Sequence, residues 1–246
     1  MLEVQTREDR FIERVKKEFP LHEILRSNPI LQHLRSIKEP EEIELLQKAC
    51  NITEKGVRRL LSFVKPGVWE YEIEAELMHE FLRNRSKGFA YTPIIASGEN
   101  ANVLHYIANN MQCKDGDVIL LDVGAEYANY SSDLTRMIPV NGKFTARQKE
   151  IYNAVLDMKN FATSLLVPGN NWYDYHKECG EFYTSKFLEL GLLDKADVQN
   201  QDKNWPAYKK YMMHGTSHHL GLDTHDYGIL KDKFVENMVF TVEPGI

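Results

Sequence analysis

Long apolar runs are missing from this sequence. No 18 consecutive apolar residues occur in its 246 positions, so no helical membrane span is expected and a membrane is not a predicted partner. The amino terminus, MLEVQTREDRFIERVKKEF, is charged throughout and lacks the apolar centre of a secretory signal. An excess of positive charge is missing too. Thirty Lys and Arg stand against 36 Asp and Glu, for a net charge of −6, and the basic residues are interleaved with Glu rather than gathered in a stripe. Nucleic acid is therefore not an expected partner. Cysteine is scarce: Cys50, Cys113 and Cys179 are odd in number and widely spaced. That pattern excludes a disulfide framework and a CxxC metal knuckle, and it predicts free thiols in a reducing compartment, the cytoplasm.

What remains is an ordinary globular composition, 43% hydrophobic and 27% charged, in a chain long enough to bury a core. Residues 1–38 read as an irregular or helical lead-in. A helix is predicted from Pro40 to Val64, opening on Pro40 with Glu41, Glu42 and Glu44 in its first turns and stopping before Pro66-Gly67. A second, Glu70 to Ser86, carries Ile73, Leu77 and Phe81 at helical spacing. Residues 88–140 switch to short β-rich runs, FAYTPIIAS, NVLHYI, DVILLDVG and SSDLTRMIPV, parted by Gly, Asn and Asp. Two more helices are predicted, Thr145 to Val167 and Tyr173 to Leu190, before a final 35 residues of Gly-punctuated β-type segments.

The order helix, helix, strands thus occurs twice. Pro66-Gly67 and Trp69 answer Pro168-Gly169 and Trp172, an offset of about 102. DVILLDVG answers NMVFTVEPG at an offset of 121, which sets Asp122 opposite Glu243. The difference of about 19 residues falls in the polar stretch LLDKADVQNQDKNWPAYKK. An internal duplication is the simplest account.

Asp122 and Glu243 both interrupt segments that otherwise read as buried strands. An isolated carboxylate there costs several kcal/mol unless it is neutralised, paired or metal-bound. Asp133 lies 11 residues past Asp122, beyond the turn-rich AEYANYSS, and a hairpin there places both aspartates on one face. Carboxylates converging on one buried point repel unless cations share them. The stretch MHGTSHHLGLDTHD adds His214, His218, His219 and His225. Not all four can be ligands. His219, directly after His218, points to the opposite face of an extended segment and reads as structural.

LLDVGAEYANYSSDLTRMIPVNGKFT, HGTSHHLGLDTHD and FTVEPGI together resemble the catalytic domain of the aminopeptidase P family, the Xaa-Pro aminopeptidases. These are pita-bread metallopeptidases, akin to prolidase and methionine aminopeptidase. The resemblance covers roughly residues 36–246. It implies an α+β fold, a duplication of helix-helix-strands units around a curved antiparallel sheet, with the catalytic domain at 39–246 and residues 1–38 as the lead-in from an N-terminal domain. It also implies that Asp122, Asp133, His218 and Glu243 ligate two divalent ions, Asp133 and the last glutamate bridging, and that His105, His214 and His225 face substrate. The individual roles of the three histidines stay open. Oxygen-rich ligation with one imidazole suits Mn²⁺, with Zn²⁺, Co²⁺ or Fe²⁺ as alternatives. The implied substrates are peptides with proline in second position, and a homo-oligomer is a further family expectation. Met137 stands where the family commonly has Thr.

Against the family pattern, a fifth ligand, a second glutamate, is expected about two dozen residues past Glu243, beyond Ile246. The expectation is therefore a chain truncated at both ends relative to the family, with the second ion weakened and activity low or absent. Prolidase is the nearest alternative, although Ser217 stands where its motif tends to have Gly. An inactive peptidase-like binding module is the other, set against the presence of all four ligands that fit within this length.

Overall fold

The computed structural model describes residues 4–229 and 231–246; Met1–Glu3 of the lead-in and Leu230 of the last β-type stretch lie outside the described residues. The lead-in is helical, α1 (Arg7–Glu18) and α2 (Asn28–Ser36). Thr6 caps α1 by accepting the Asp9 N–H while Asp9 accepts the Thr6 N–H, yet none of the residues of α1 is buried.

The helical expectations are met to within three residues at each end. Helix α3 (Pro40–Phe63) starts on proline, and Glu42 accepts the Glu39 N–H at 2.8 Å. Helix α4 (Glu70–Arg83) buries Ile73, Leu77 and Phe81. In the second half, α5 (Ala146–Leu165) is capped reciprocally by Thr145 and Gln148, and α6 (Trp172–Glu189) by Asn171. The polar insert folds into α7 (Lys195–Gln199) and a 3₁₀ turn over Ala207–Lys210. Among the described residues no helix is long and apolar enough to cross a membrane.

Among the described residues, six short strands form two antiparallel sheets. In one, β3 (Val118–Val123) lies between β2 (Ile94–Ser97) and β6 (Leu134–Pro139); in the other, β4 (Ala125–Tyr127) lies between β1 (Gly88–Phe89) and β5 (Tyr130–Ser131). The run FAYTPIIAS therefore splits into β1 and β2, with Pro93, which has no N–H to donate, just ahead of β2. The run NVLHYI is not a strand. His105 adopts φ +55°, a left-handed conformation that no strand tolerates, and the segment leaves a 3₁₀ turn over Gly98–Asn102 as a loop.

The duplication appears in the hydrogen bonds. Gly67 N–H donates to Cys113 O and Gly169 N–H to Phe234 O, at 2.8 and 2.9 Å. The return bonds, Cys113 N–H to Val68 O and Phe234 N–H to Asn170 O, repeat the match. Both glycines sit at nearly the same φ, +94° and +96°, as the Pro-Gly turns require. These pairs are related by the offsets of 102 and 121 read from the sequence. Each half has its own core: Leu60, Ile73, Leu77 and Phe81 against Ile119, Leu121 and Val123 in the first, and Met158, Trp172, Tyr175, Cys179 and Phe187 against Met212 and Phe234 in the second.

The final segments depart from expectation in one respect. Residues 216–220 and 239–243 run antiparallel, with bonds from Leu220 to Val239, Thr241 to His218 and Glu243 to Thr216, but only His219 and Phe240 form a bridge. The Thr241 hydroxyl accepts the His218 N–H at 3.0 Å. A side chain thus takes the donor that a regular ladder would give to a backbone carbonyl.

His176, half-buried on α6, stacks on Trp172 with ring centroids 5.4 Å apart. Burial, and then the charge of Lys209, lowers its proton affinity below the usual 6.5. The unfolded chain binds that proton more readily, so the stabilisation is present above pH 6.5 and lost as pH falls below it. His176→Phe is expected to flatten this part of the acid limb, read as urea midpoints at pH 7.5 and pH 5.

Candidate metal centre

The seam between the two cores carries the site. Asp122 sits near the end of β3, paired with Ile94 of β2 on one side and Thr135 of β6 on the other. Asp133 is two residues ahead of Thr135. Side chains alternate along a strand, so Asp133 and Thr135 share a face and Asp122 lies diagonally across from Asp133. The chain between the aspartates makes a hairpin, β4 to β5, around Ala128 and Asn129 at φ +52° and +72°; positive φ at both central residues is what a two-residue hairpin of this hand demands.

From the second half come His218 and Glu243. His218 Nε2 lies 3.3 Å from Asp133 Oδ2 and 3.1 Å from Glu243 Oε1. Thr241 ties the pair together, its hydroxyl accepting from the His218 backbone and donating to Glu243 Oε1 at 3.0 Å. His225 packs edge-on against the His218 ring, centroids 4.3 Å apart. His214 contacts the carbonyl of Gly215 through Nδ1 at 2.9 Å, and a Cβ placed on Gly245, just past Glu243, would stand 3.5 Å from its Nε2. His105 is exposed on its loop and makes no hydrogen bond, ion pair or ring contact with these residues among those described. His219 points the other way, 3% exposed, against Trp172 and Phe240, as its place after His218 predicts.

Two residues that sequence reading passes over matter here. The Tyr91 hydroxyl contacts Asp122 Oδ1 at 2.6 Å and Asp133 Oδ1 at 3.1 Å, tying the two aspartates together. Nothing in FAYTPIIAS distinguishes it, since tyrosine is ordinary in a β-run. Glu70, fully buried at the start of α4, accepts from the Ser97 and Met111 N–H groups, the Ser97 hydroxyl, Asn100 and the Tyr106 hydroxyl. It anchors the loop that carries His105. A glutamate in a helical first turn gives no sign of this in sequence.

The electrostatics call for a cation. Burial pushes the Asp122 carboxyl up to about 6, helped by the charges of Asp133 and Glu243 and opposed by the Tyr91 hydrogen bond. His218 Nδ1 faces the His219 carbonyl at 2.8 Å, and a carbonyl can only accept, so Nδ1 holds the proton. A neutral ring would then aim the Nε2 lone pair at two carboxylate oxygens. Burial lowers the proton affinity of His218, but the hydrogen bonds with Asp133 and Glu243 outweigh it and raise the group to about 10. A positive charge belongs at this point, as a proton or as a metal ion, and the donor set of three carboxylates and one imidazole fits hard divalent ions. Among the described residues no three such side chains are spaced around a common centre; His218 instead reaches both carboxylates directly.

The model of metallopeptidase family M24 matches residues 44–246, and the chain belongs to that family. Within it, the chain is similar to the Xaa-Pro aminopeptidase of Haemophilus influenzae, 44% identical over 228 residues, which are 91% of this chain and 53% of that protein. It is 40% identical to the Xaa-Pro aminopeptidase of Escherichia coli over 222 residues, 89% of this chain and 50% of that one. Among solved structures, aminopeptidase P from E. coli with the inhibitor Pro-Leu superposes with a TM-score of 0.88 at 34% identity, covering 98% of this chain and 58% of the other. The chain spans about half the length of the curated relatives it matches. The mixed helical and antiparallel architecture is the pita-bread fold of these enzymes.

Proposed function

We propose that this chain is the catalytic portion of a dinuclear-metal aminopeptidase that hydrolyses the bond between an N-terminal residue and a following proline. The observation that carries the reading is the meeting of Asp122 and Asp133 from one repeat with His218 and Glu243 from the other, in a family whose similar members are Xaa-Pro aminopeptidases. Asp122, Asp133, His218 and Glu243 would hold two divalent ions, Mn²⁺ in preference to Zn²⁺, Co²⁺ or Fe²⁺. Such ions supply an activated water and polarise the scissile carbonyl.

The chain's own residues do the rest. Tyr91 holds the two aspartates in fixed relative position and Thr241 does the same for His218 and Glu243. His225, against His218, or His105 would hydrogen-bond the oxygen on which negative charge develops, and His214 would help to carry a proton or orient its neighbours. The three free cysteines agree with a reducing, cytoplasmic setting, and a homo-oligomer belongs to the same reading.

The test is an assay of the chain on an Arg-Pro-Pro peptide and on a Xaa-Pro dipeptide, with Mn²⁺ added. Weak metal-dependent release of the first residue, faster on the longer peptide, is expected. Preference for the dipeptide would replace the assignment with prolidase. Absence of both turnover and bound transition metal would replace it with a binding module.

A further inference from the structure

His225 is exposed, lies outside any helix or strand, and packs edge-on against the ring of His218. Its position must therefore be set by its neighbours in the chain. Two carboxylates flank it, Asp223 two residues before and Asp226 one residue after, and both converge on a single guanidinium. Arg35, in the lead-in helix α2, reaches Asp223 Oδ2 at 2.8 Å and Asp226 Oδ1 at 2.5 Å. It also lies over the Tyr227 ring, 4.7 Å from its centroid. Lys38 completes the grip. Its side chain is buried with that of Asp226, the two charges 3.4 Å apart, and its ammonium donates to the Arg35 carbonyl at 2.7 Å.

The backbone is built around this arrangement. Asp226 N–H donates to His219 O at 3.0 Å, which ties the turn to the segment carrying His218, and Lys38 N–H donates to Asn237 O at 2.9 Å, just ahead of the segment carrying Glu243. A Cβ on Gly221 would fall 2.0 Å from Asp226 Oδ2 and 3.1 Å from Lys38 Cε, so only glycine lets the buried carboxylate lie where it does. Carboxylates are not buried this closely without paired cations, and a guanidinium fork can hold two at once where an ammonium holds one.

We propose that Arg35, seconded by Lys38, is a positioning residue that holds His225 against His218 and over the centre. The lead-in, which contributes no ligand, would then set the geometry of a substrate-facing histidine through Arg35–Asp223 and Lys38–Asp226 contacts that each span 188 residues of sequence. The inference rests on the peptidase reading for its catalytic consequence, but not for the clamp itself.

The experiment compares the full chain with Arg35→Met, Arg35→Lys and Asp223→Asn by hydrogen exchange of the amides of residues 222–227 and by kcat and KM on the Arg-Pro-Pro peptide with Mn²⁺. Arg35→Met is expected to speed exchange at least about tenfold in that turn alone and to lower kcat by about 10- to 100-fold with KM little changed, the cost of a misplacement near 1 Å. Arg35→Lys and Asp223→Asn should fall between it and the wild type. Unchanged exchange in the turn, or faster exchange throughout the chain, overturns the clamp. Faster local exchange with kcat unaltered in an active enzyme overturns the catalytic part. A wild type with neither turnover nor bound Mn²⁺ removes the peptidase reading, and the exchange data still decide the clamp.

Discussion

Replacing Asp133 by Asn is expected to cut turnover of the Xaa-Pro peptide by more than about 100-fold, because losing even an outer partner of a metal ligand costs 10- to 100-fold. Asp133 is the group to which both halves of the site reach: the Tyr91 hydroxyl from one side at 3.1 Å and His218 Nε2 from the other at 3.3 Å. Tyr91→Phe, which leaves every proposed ligand in place and removes only the tie between the aspartates, should fall in the 10- to 100-fold range itself. Stability is expected to move the other way. Without metal, Asp122, Asp133 and Glu243 crowd one half-buried region, where the charges of Asp133 and Glu243 add to burial in raising the Asp122 carboxyl. Chelation should therefore lower the melting temperature of the wild type more than that of Asp133→Asn, which has one charge fewer to repel. Peptide turnover with Mn²⁺ and thermal melts with and without chelator measure both quantities. Equal activity in the two proteins would place the chemistry elsewhere.

Gly124→Ala is expected to be the most damaging small substitution near the centre. A Cβ there would stand 1.8 Å from the carbonyl oxygen of Ser132 and 2.9 Å from the Tyr91 ring. The first of these is backbone, which cannot rotate away. The strand end at Val123 and the segment at Ser132 would have to separate, although the Ser132 N–H now donates to Ala125 O at 3.0 Å and its hydroxyl is bonded to Thr53 and Ala125. Asp122 and Asp133 lie just outside this crossing and would move apart with it. The cost should reach about 3 kcal/mol, the upper end for overpacking, in urea unfolding, and metal affinity should fall with it. Gly142→Ala is the control: a Cβ there meets nothing within 4 Å, although its positive φ of +79° adds a small strain of its own.

Much of this was legible in the chain because it is local. Helix starts at Pro40 and Thr145 and stops near Pro66-Gly67 and Pro168-Gly169 depend on capping groups and φ values within a few residues. The repeat was legible for a related reason: two Pro-Gly turns that demand the same backbone conformation kept the same residues, and the offsets of 102 and 121 reappear as paired hydrogen bonds. Strand limits were less so. NVLHYI has strand composition, but a loop held by Tyr106 on buried Glu70 leaves His105 left-handed. The Thr241 hydroxyl, not any propensity, interrupts the ladder beside His218.

By itself, then, the sequence singled out the groups proposed to carry the chemistry. A carboxylate in an apolar run, or a histidine flanked by glycines, is expensive enough to stand out against its neighbours without any knowledge of distance. Only the tertiary structure decided which groups hold them. Tyr91, Thr241, Glu70 and Arg35 are ordinary residues in ordinary local settings, and their roles come from contacts reaching as far along the chain as from Arg35 to Tyr227. The centre of Asp122, Asp133, His218 and Glu243 is readable because burying charge is costly; its supports are not, because a hydrogen bond between distant segments leaves no local trace.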